Sequence, residues 1–260
     1  MSEHDPSILE PDYTEHPERD YVNEHQWLRN IDMYRRTKTE VLYPTTRKMY
    51  TYIKDSCIDI VKSHPQYPKF IWKPKIIDIA CGSGIGSNVL SQEADFVWGI
   101  DVSEPSVKFA QLMFTRHKNN IYYNPQLTFD VVDVRTDTRE IMAFDIVVAI
   151  ELIEHLADYN TLLNFIKRIC KKDKQGNYFE PPNATIVYIS TPNRKQLAAH
   201  GKSQKKPNNR RHVREWAPDE LYNVLTKHFK YVVLRDPDGN LVELDTLAPH
   251  LLFQCEVPIK

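Results

Sequence analysis

Apolar positions along the chain follow two different rhythms. Over residues 21–65 they recur at helical spacing: Trp27, Ile31, Tyr34 and Val41, then Met49, Ile53, Ile58 and Val61 after Pro44. This predicts two or three helices ending before Pro65. Three prolines between 64 and 74 mark a connector. From Lys75 onward, short β-branched or aromatic runs recur at 76–80, 96–100, 127–132, 144–150, 185–189, 231–234 and 251–255, with helical stretches after 86, 104, 154 and 218. Strands alternating with helices imply a parallel sheet covered on both faces. The gap before the last run holds Asp236-Pro237-Asp238-Gly239, a turn without a crossover helix, so the last two strands are expected to pair antiparallel.

Composition narrows the picture. The chain has 260 residues, 41% of them hydrophobic, enough for one large α/β domain with additions and too many for a disordered chain. Lys and Arg number 34 against 35 Asp and Glu, so a basic site has to be local. No apolar run reaches the roughly 18–20 residues that cross a bilayer, and the polar start of the chain does not read as a signal peptide. Cys57, Cys81, Cys170 and Cys255 are far apart, as expected for reduced thiols of an intracellular, cytoplasmic protein. Residues 1–20 carry seven acids and one base and are expected to form a flexible tail. Residues 21–70 read as a helical extension, a lid over the site or a cover for a sheet edge or dimer contact, and 71–260 as the main domain.

Glycine is scarce: only 7 occur, and Gly82, Gly84 and Gly86 stand within five residues, after the run Ile76-Ile77-Asp78-Ile79-Ala80-Cys81. A buried strand entering a glycine turn and then a helix lets a ligand approach the backbone. The spacing misses the dinucleotide G-x-G-x-x-G, and the Gly-Lys-Ser/Thr ending of a Walker A loop is absent. The second strand ends at Asp101, placed to accept from ribose hydroxyls, and the third at Asp133-Val134, where a carboxylate could accept from an adenine amino group. Each acid alone could be a strand-end cap; three on one edge of a sheet make that weaker.

Asp78-x-x-Cys81-Gly82-x-Gly84-x-Gly86, Asp101 and Asp133 together resemble the motifs of class I S-adenosylmethionine-dependent methyltransferases, over roughly residues 70–258. The resemblance implies a Rossmann-like seven-stranded, mostly parallel sheet with an antiparallel last strand, helices on both faces and an N-terminal helical extension. It implies that Gly82 and Gly84 face the methionine part of the cofactor, Asp101 the ribose and Asp133 the adenine N6. Asp78 would orient the loop near the amino group, and Ala80, Val102, Val134 and Ile150 would complete the cofactor pocket.

The fourth strand leads into Glu151-Leu152-Ile153-Glu154-His155. If these residues begin a helix, Glu151, Glu154 and His155 share a face. His212, in Arg211-His212-Val213-Arg214-Glu215-Trp216, could return over the same edge. Two Glu and two His suit Mg, Mn, Co or Zn. The set resembles the metal site of small-RNA 3′-terminal 2′-O-methyltransferases. The same phrases also resemble bacterial and phage methyltransferases of quinones, sugars or unknown acceptors. Alternatively, Glu151 and Glu154 favour a helix N-terminus and His155 lines the pocket. His155, His212 or Glu154 could act as base.

Residues 194–214 hold eight Lys or Arg and no acid. They could grip phosphates or form a solvated loop. The expected function is methyl transfer to a hydroxyl of a small-molecule, sugar or nucleotide-like acceptor. RNA or DNA methylation through the basic loop is the rival, and a non-catalytic cofactor-binding scaffold a third reading.

Overall fold

The computed structural model describes residues 44–63, 72–115, 123–201, 207 and 209–259. The acidic tail and the expected helices before Pro44 lie outside the described residues. In chain order the elements are α1 (Pro44–Ser63), β1 (Lys75–Ile79), α2 (Ile85–Leu90), β2 (Phe96–Asp101), α3 (Glu104–Phe114), β3 (Leu127–Val131), β4 (Ile146–Ala149), a 3₁₀ turn (Ile153–His155), α4 (Tyr159–Ile169), β5 (Ile186–Pro192), α5 (Arg194–Ala199), α6 (Pro218–Leu225), β6 (Phe229–Arg235) and β7 (His250–Pro258).

The seven strands form one sheet of order β3-β2-β1-β4-β5-β7-β6. β1 to β5 run parallel, and β7 is antiparallel to both neighbours. The expected architecture is therefore present. Because β7 runs backwards, its first residue, His250, pairs with Pro192 at the end of β5. His250 thus lies on the same edge as the carboxyl ends of the parallel strands.

The central strands read as unbroken apolar runs because both faces are buried. Ile77, Ile79, Val147 and Ala149 join a cluster completed by α4 and α6. Ile76, Ile146 and Val148 join a second with α1, α2 and α3. The register of α1 differs from the expected one: Met49, Tyr50, Ile53 and Cys57 are buried, while Ile58 is exposed. Tyr50 explains the rotation. Its ring lies over Gly86 of α2, where an added Cβ would come 2.3 Å from the ring, and its hydroxyl seeks a buried acid of β1. α1 is therefore part of the core on that face.

Candidate active site

The edge at the carboxyl ends of the strands divides into two halves. The first spans β1 to β3. Asp78 has no exposed surface; Tyr50 donates to its Oδ1 at 2.9 Å and Ser87 to its Oδ2 at 2.6 Å. Burial pushes its pKa up to about 7 against the pull of those two hydroxyls, with the charge of Asp101 adding to the rise. Asp78 thus orients α1 and α2 and presents no atom at the surface of the hollow.

Beyond β1 the backbone turns through Ala80 (φ 61°), Gly82 (55°) and Gly84 (76°). For Ala80 this conformation costs on the order of 1–3 kcal/mol. A Cβ at Gly84 would meet Phe129 at 2.7 Å and Ala110 at 2.8 Å, so glycine is required there by packing; at Gly82 it would meet nothing within 4 Å. Gly82 faces open space. Its N–H donates to Asp101 Oδ2 and the Ser103 N–H to Oδ1, both at 2.8 Å. These bonds fix the carboxylate against the loop. Val102 beside it is 40% exposed, Val134 is half-buried and Ile150 is buried. Asp133 lies two residues past β3. Burial works to raise its pKa, but the hydrogen bonds and charge of Arg135 prevail and hold it below the usual carboxylate range. Arg135 Nη2 sits 2.7 Å from Oδ2. An open hollow over Gly82, an aimed carboxylate and an exposed apolar side chain fit a nucleoside cofactor.

The second half spans β4, β5 and β7. Residues 151–155 do not begin a helix: only Ile153–His155 form a 3₁₀ turn, Leu156 is extended, and α4 starts at Tyr159 behind its cap Asp158. The Asp158 side chain accepts from Asn160 N–H and stabilises a start three residues further on. Glu154 and His155 are therefore neighbours in one turn. Glu151 stands apart, with φ 55°, Oε1 accepting from Ser190 Oγ at 2.8 Å and Oε2 2.9 Å from His250 Nδ1.

Glu154 is completely buried, and neither carboxyl oxygen has a hydrogen-bond partner. Burial, then the charge of Glu151, pushes its pKa well above the usual carboxylate range. Its side chain, His155 and His212 offer donor atoms all within 4.8 Å of one another. The two imidazoles meet edge to face at 4.8 Å. The Arg211 carbonyl only accepts, so His155 Nδ1 carries the hydrogen at 2.8 Å and Nε2 keeps its lone pair. Burial lowers the His155 pKa to about 4 and also lowers that of His212, leaving neutral rings. Asn209 Nδ2 lies 3.0 Å from His212 Nε2, and His212 Nδ1 is 3.4 Å from Glu215, attracted but off the hydrogen-bond direction.

Among the described residues, seven buried side-chain polar atoms lack hydrogen bonds, and five belong to Glu154, Thr191, His212 and His250. Unsatisfied buried groups are rare, and such a concentration marks a place for a ligand. The donor set of one carboxylate and two neutral imidazoles fits a divalent cation. Of the residues expected from the sequence, Glu154, His155 and His212 come together here; Ser190, Thr191, Glu215 and His250 were not among them. Glu215 stood within the Arg211–Trp216 phrase; His250 carried no local signal, because its place depends on β7 running backwards.

Of the basic stretch, Arg194 pairs with Glu220, Lys195 lies 3.0 Å from Asp219, and Arg214 stacks over Tyr159 and Trp216. Lys202, Lys205 and Lys206 lie outside the described residues.

Comparison with known proteins agrees with this geometry. Residues 77–175 match the family model described as "Methyltransferase domain". Over that segment the chain is similar to a methyltransferase domain. S-adenosylmethionine is the cofactor of that family. A ubiquinone biosynthesis O-methyltransferase of Methylobacterium nodulans is 29% identical over 129 residues, 50% of this chain and 48% of the relative. The chain spans about half the length, or less, of the curated relatives it matches. Among solved structures, the methyltransferase domain of a bacterial CtHen1 aligns with 80% of this chain and 100% of its own at 19% identity and TM-score 0.52. Magnesium protoporphyrin IX methyltransferase of Synechocystis PCC 6803 covers 92% and 97% at 16% identity and TM-score 0.54. At these identities the structural likeness concerns the fold. No helix among the described residues is long and apolar enough to cross a membrane.

Proposed function

We propose that the chain is an S-adenosylmethionine-dependent O-methyltransferase acting on a hydroxyl of a small-molecule acceptor. The observation that carries this reading is the division of one sheet edge: a cradle with an aimed carboxylate, Asp101, stands beside a wedge of buried unsatisfied donors centred on Glu154. The O-methyltransferase relatives support the acceptor class.

When bound, S-adenosylmethionine supplies a methyl group on a positive sulfur, already a good electrophile. The chain's task is then mainly to hold two reactants in line. Asp101 would accept from the ribose hydroxyls, Gly82 would lie under the methionine part, Val102 against the adenine, and Asp133, already neutralised by Arg135, at the adenine amino group. Asp78 keeps the floor rigid through Tyr50 and Ser87. On the other half, Glu154, His155 and His212 would hold a divalent cation, which would supply Lewis acidity to an acceptor oxygen. His155 is held ready by the Arg211 carbonyl. Four buried free cysteines suit the cytoplasm.

The test is to incubate the purified full chain with labelled methyl donor and an extract divided into metabolites, protein and nucleic acid. Label in metabolites, in alkali-stable ether linkage, is expected. Label in RNA would instead favour an acceptor held by the basic stretch, and binding of the donor without transfer would favour a scaffold.

A further inference from the structure

Glu151 occupies a left-handed conformation that costs a side chain of its kind on the order of 1–3 kcal/mol. Its neighbours hold it there. Its N–H donates to Ser190 Oγ at 3.0 Å, and the same hydroxyl donates back to Oε1 at 2.8 Å. The consequence is that Oε2 turns along the sheet edge and meets His250 Nδ1 at 2.9 Å. His250 is pinned as firmly. The Asn193 side chain donates to the carbonyls of Thr246 and Ala248, and its N–H to the carbonyl of Pro249, so the residues leading into β7 follow the end of β5.

Nδ1 of His250 is buried against Glu151, yet 24% of the side chain is exposed on the ligand edge. The contact does not meet hydrogen-bond geometry, but a carboxylate oxygen at 2.9 Å repels a nitrogen lone pair and attracts a ring hydrogen, which favours the hydrogen on Nδ1 and the lone pair on Nε2. Glu151 follows the end of β4 and His250 pairs with Pro192 at the end of β5, which places the pair on the same sheet edge as the Glu154 wedge. Glu154, wholly buried with both oxygens unpartnered, shows independently that this wedge is built for something the chain does not itself supply.

We propose that His250 binds the methyl acceptor: its Nε2 accepts a hydrogen bond from the acceptor's hydroxyl, and Glu151 is the positioning residue that fixes the ring and its tautomer. The ligand class is a hydroxyl compound, and a vicinal diol is the form to test, because it offers a second oxygen to the Glu154, His155 and His212 donor set. This assignment rests on the reading of the chain as a hydroxyl-directed methyltransferase.

The test uses the full chain with labelled S-adenosylmethionine, saturating Mn²⁺, and two probes, catechol and adenosine, one aromatic and one ribose diol. With whichever probe the wild type methylates, His250→Ala raises KM about tenfold or more, the equivalent of a lost hydrogen bond to a well-held group. His250→Gln, whose amide oxygen can accept, recovers part of that loss, and Glu151→Gln gives a smaller rise. Calorimetric affinities for S-adenosylmethionine and Mn²⁺ and the thermal midpoint stay at wild-type values in all three. An unchanged KM in His250→Ala beside an active wild type overturns the assignment and leaves the methyltransferase reading standing. A loss of activity that tracks a fall in thermal midpoint and is not recovered by Gln makes the pair a structural tether, and also overturns it. A wild type that binds S-adenosylmethionine but methylates neither probe refutes the diol reading, and this assignment with it.

Discussion

The two halves of the sheet edge treat their carboxylates in opposite ways. On the β1–β3 side each acid is provided for: Asp78 by Tyr50 and Ser87, Asp101 by two backbone N–H groups, Asp133 by Arg135. On the β4–β7 side the Glu154 carboxyl group is buried, and neither of its oxygens has a hydrogen-bond partner. A satisfied half is preorganised, so a ligand entering it meets groups already in place and little is lost in ordering them. An unsatisfied half is held in tension until a ligand completes it. On the proposed reading, the difference teaches that the donor site is finished by folding, whereas the acceptor site is finished by what binds there.

The contrast can be broken most forcefully at Glu154. Glu154→Gln is expected to lower Mn²⁺ affinity about a thousandfold, since a neutral amide cannot balance a dication, while thermal stability holds or rises because a buried acid without partners is removed. Calorimetry and thermal melts check both halves of that statement; equal Mn²⁺ binding would remove the cation from the account.

Asp78 offers a test by pH. Its folded-state pKa of about 7 lies above the ordinary 3.8, so the folded chain keeps a proton that the unfolded chain releases. Stability therefore falls as pH rises from about 4 to about 7, by roughly 4 kcal/mol or less. Asp78→Asn is expected to flatten that slope in urea unfolding at pH 5 and pH 8; an unaltered slope would place its origin elsewhere. Asp101→Ala is expected to weaken S-adenosylmethionine binding by about thirtyfold, the worth of one to two charge-assisted hydrogen bonds, with Mn²⁺ affinity unchanged. The smallest effect is expected at Gly86→Ala: the new Cβ, 2.3 Å from the Tyr50 ring, forces α1 outward and lowers stability by about 1–2 kcal/mol, read as a fall in thermal midpoint.

The preorganised half was the legible one. Strand runs such as Ile76-Ile77 and Ile146-Val147-Val148 announce themselves because burial on both faces demands continuous apolar residues. A strand tip carrying Asp101, or a turn carrying Gly82 and Gly84, is local in sequence and in space alike. The other half is assembled from residues up to a hundred positions apart. That Glu151 leaves the helical face expected for it follows from Ser190 on the next strand, which captures both its N–H and its carboxylate. That Ile58 is exposed and Tyr50 buried follows from the pull of Asp78 on a phenol of the preceding element. Antiparallel return brings His250 to the edge, and no pattern within its own segment could reveal it.

The claim that one half of the edge holds the methyl donor and the other completes itself with the acceptor side is tested most directly by calorimetric titration of S-adenosylmethionine into Asp101→Ala and Glu154→Gln. The account predicts affinity reduced about thirtyfold in the first and retained in the second. Full donor affinity in Asp101→Ala, or its loss in Glu154→Gln, would contradict it.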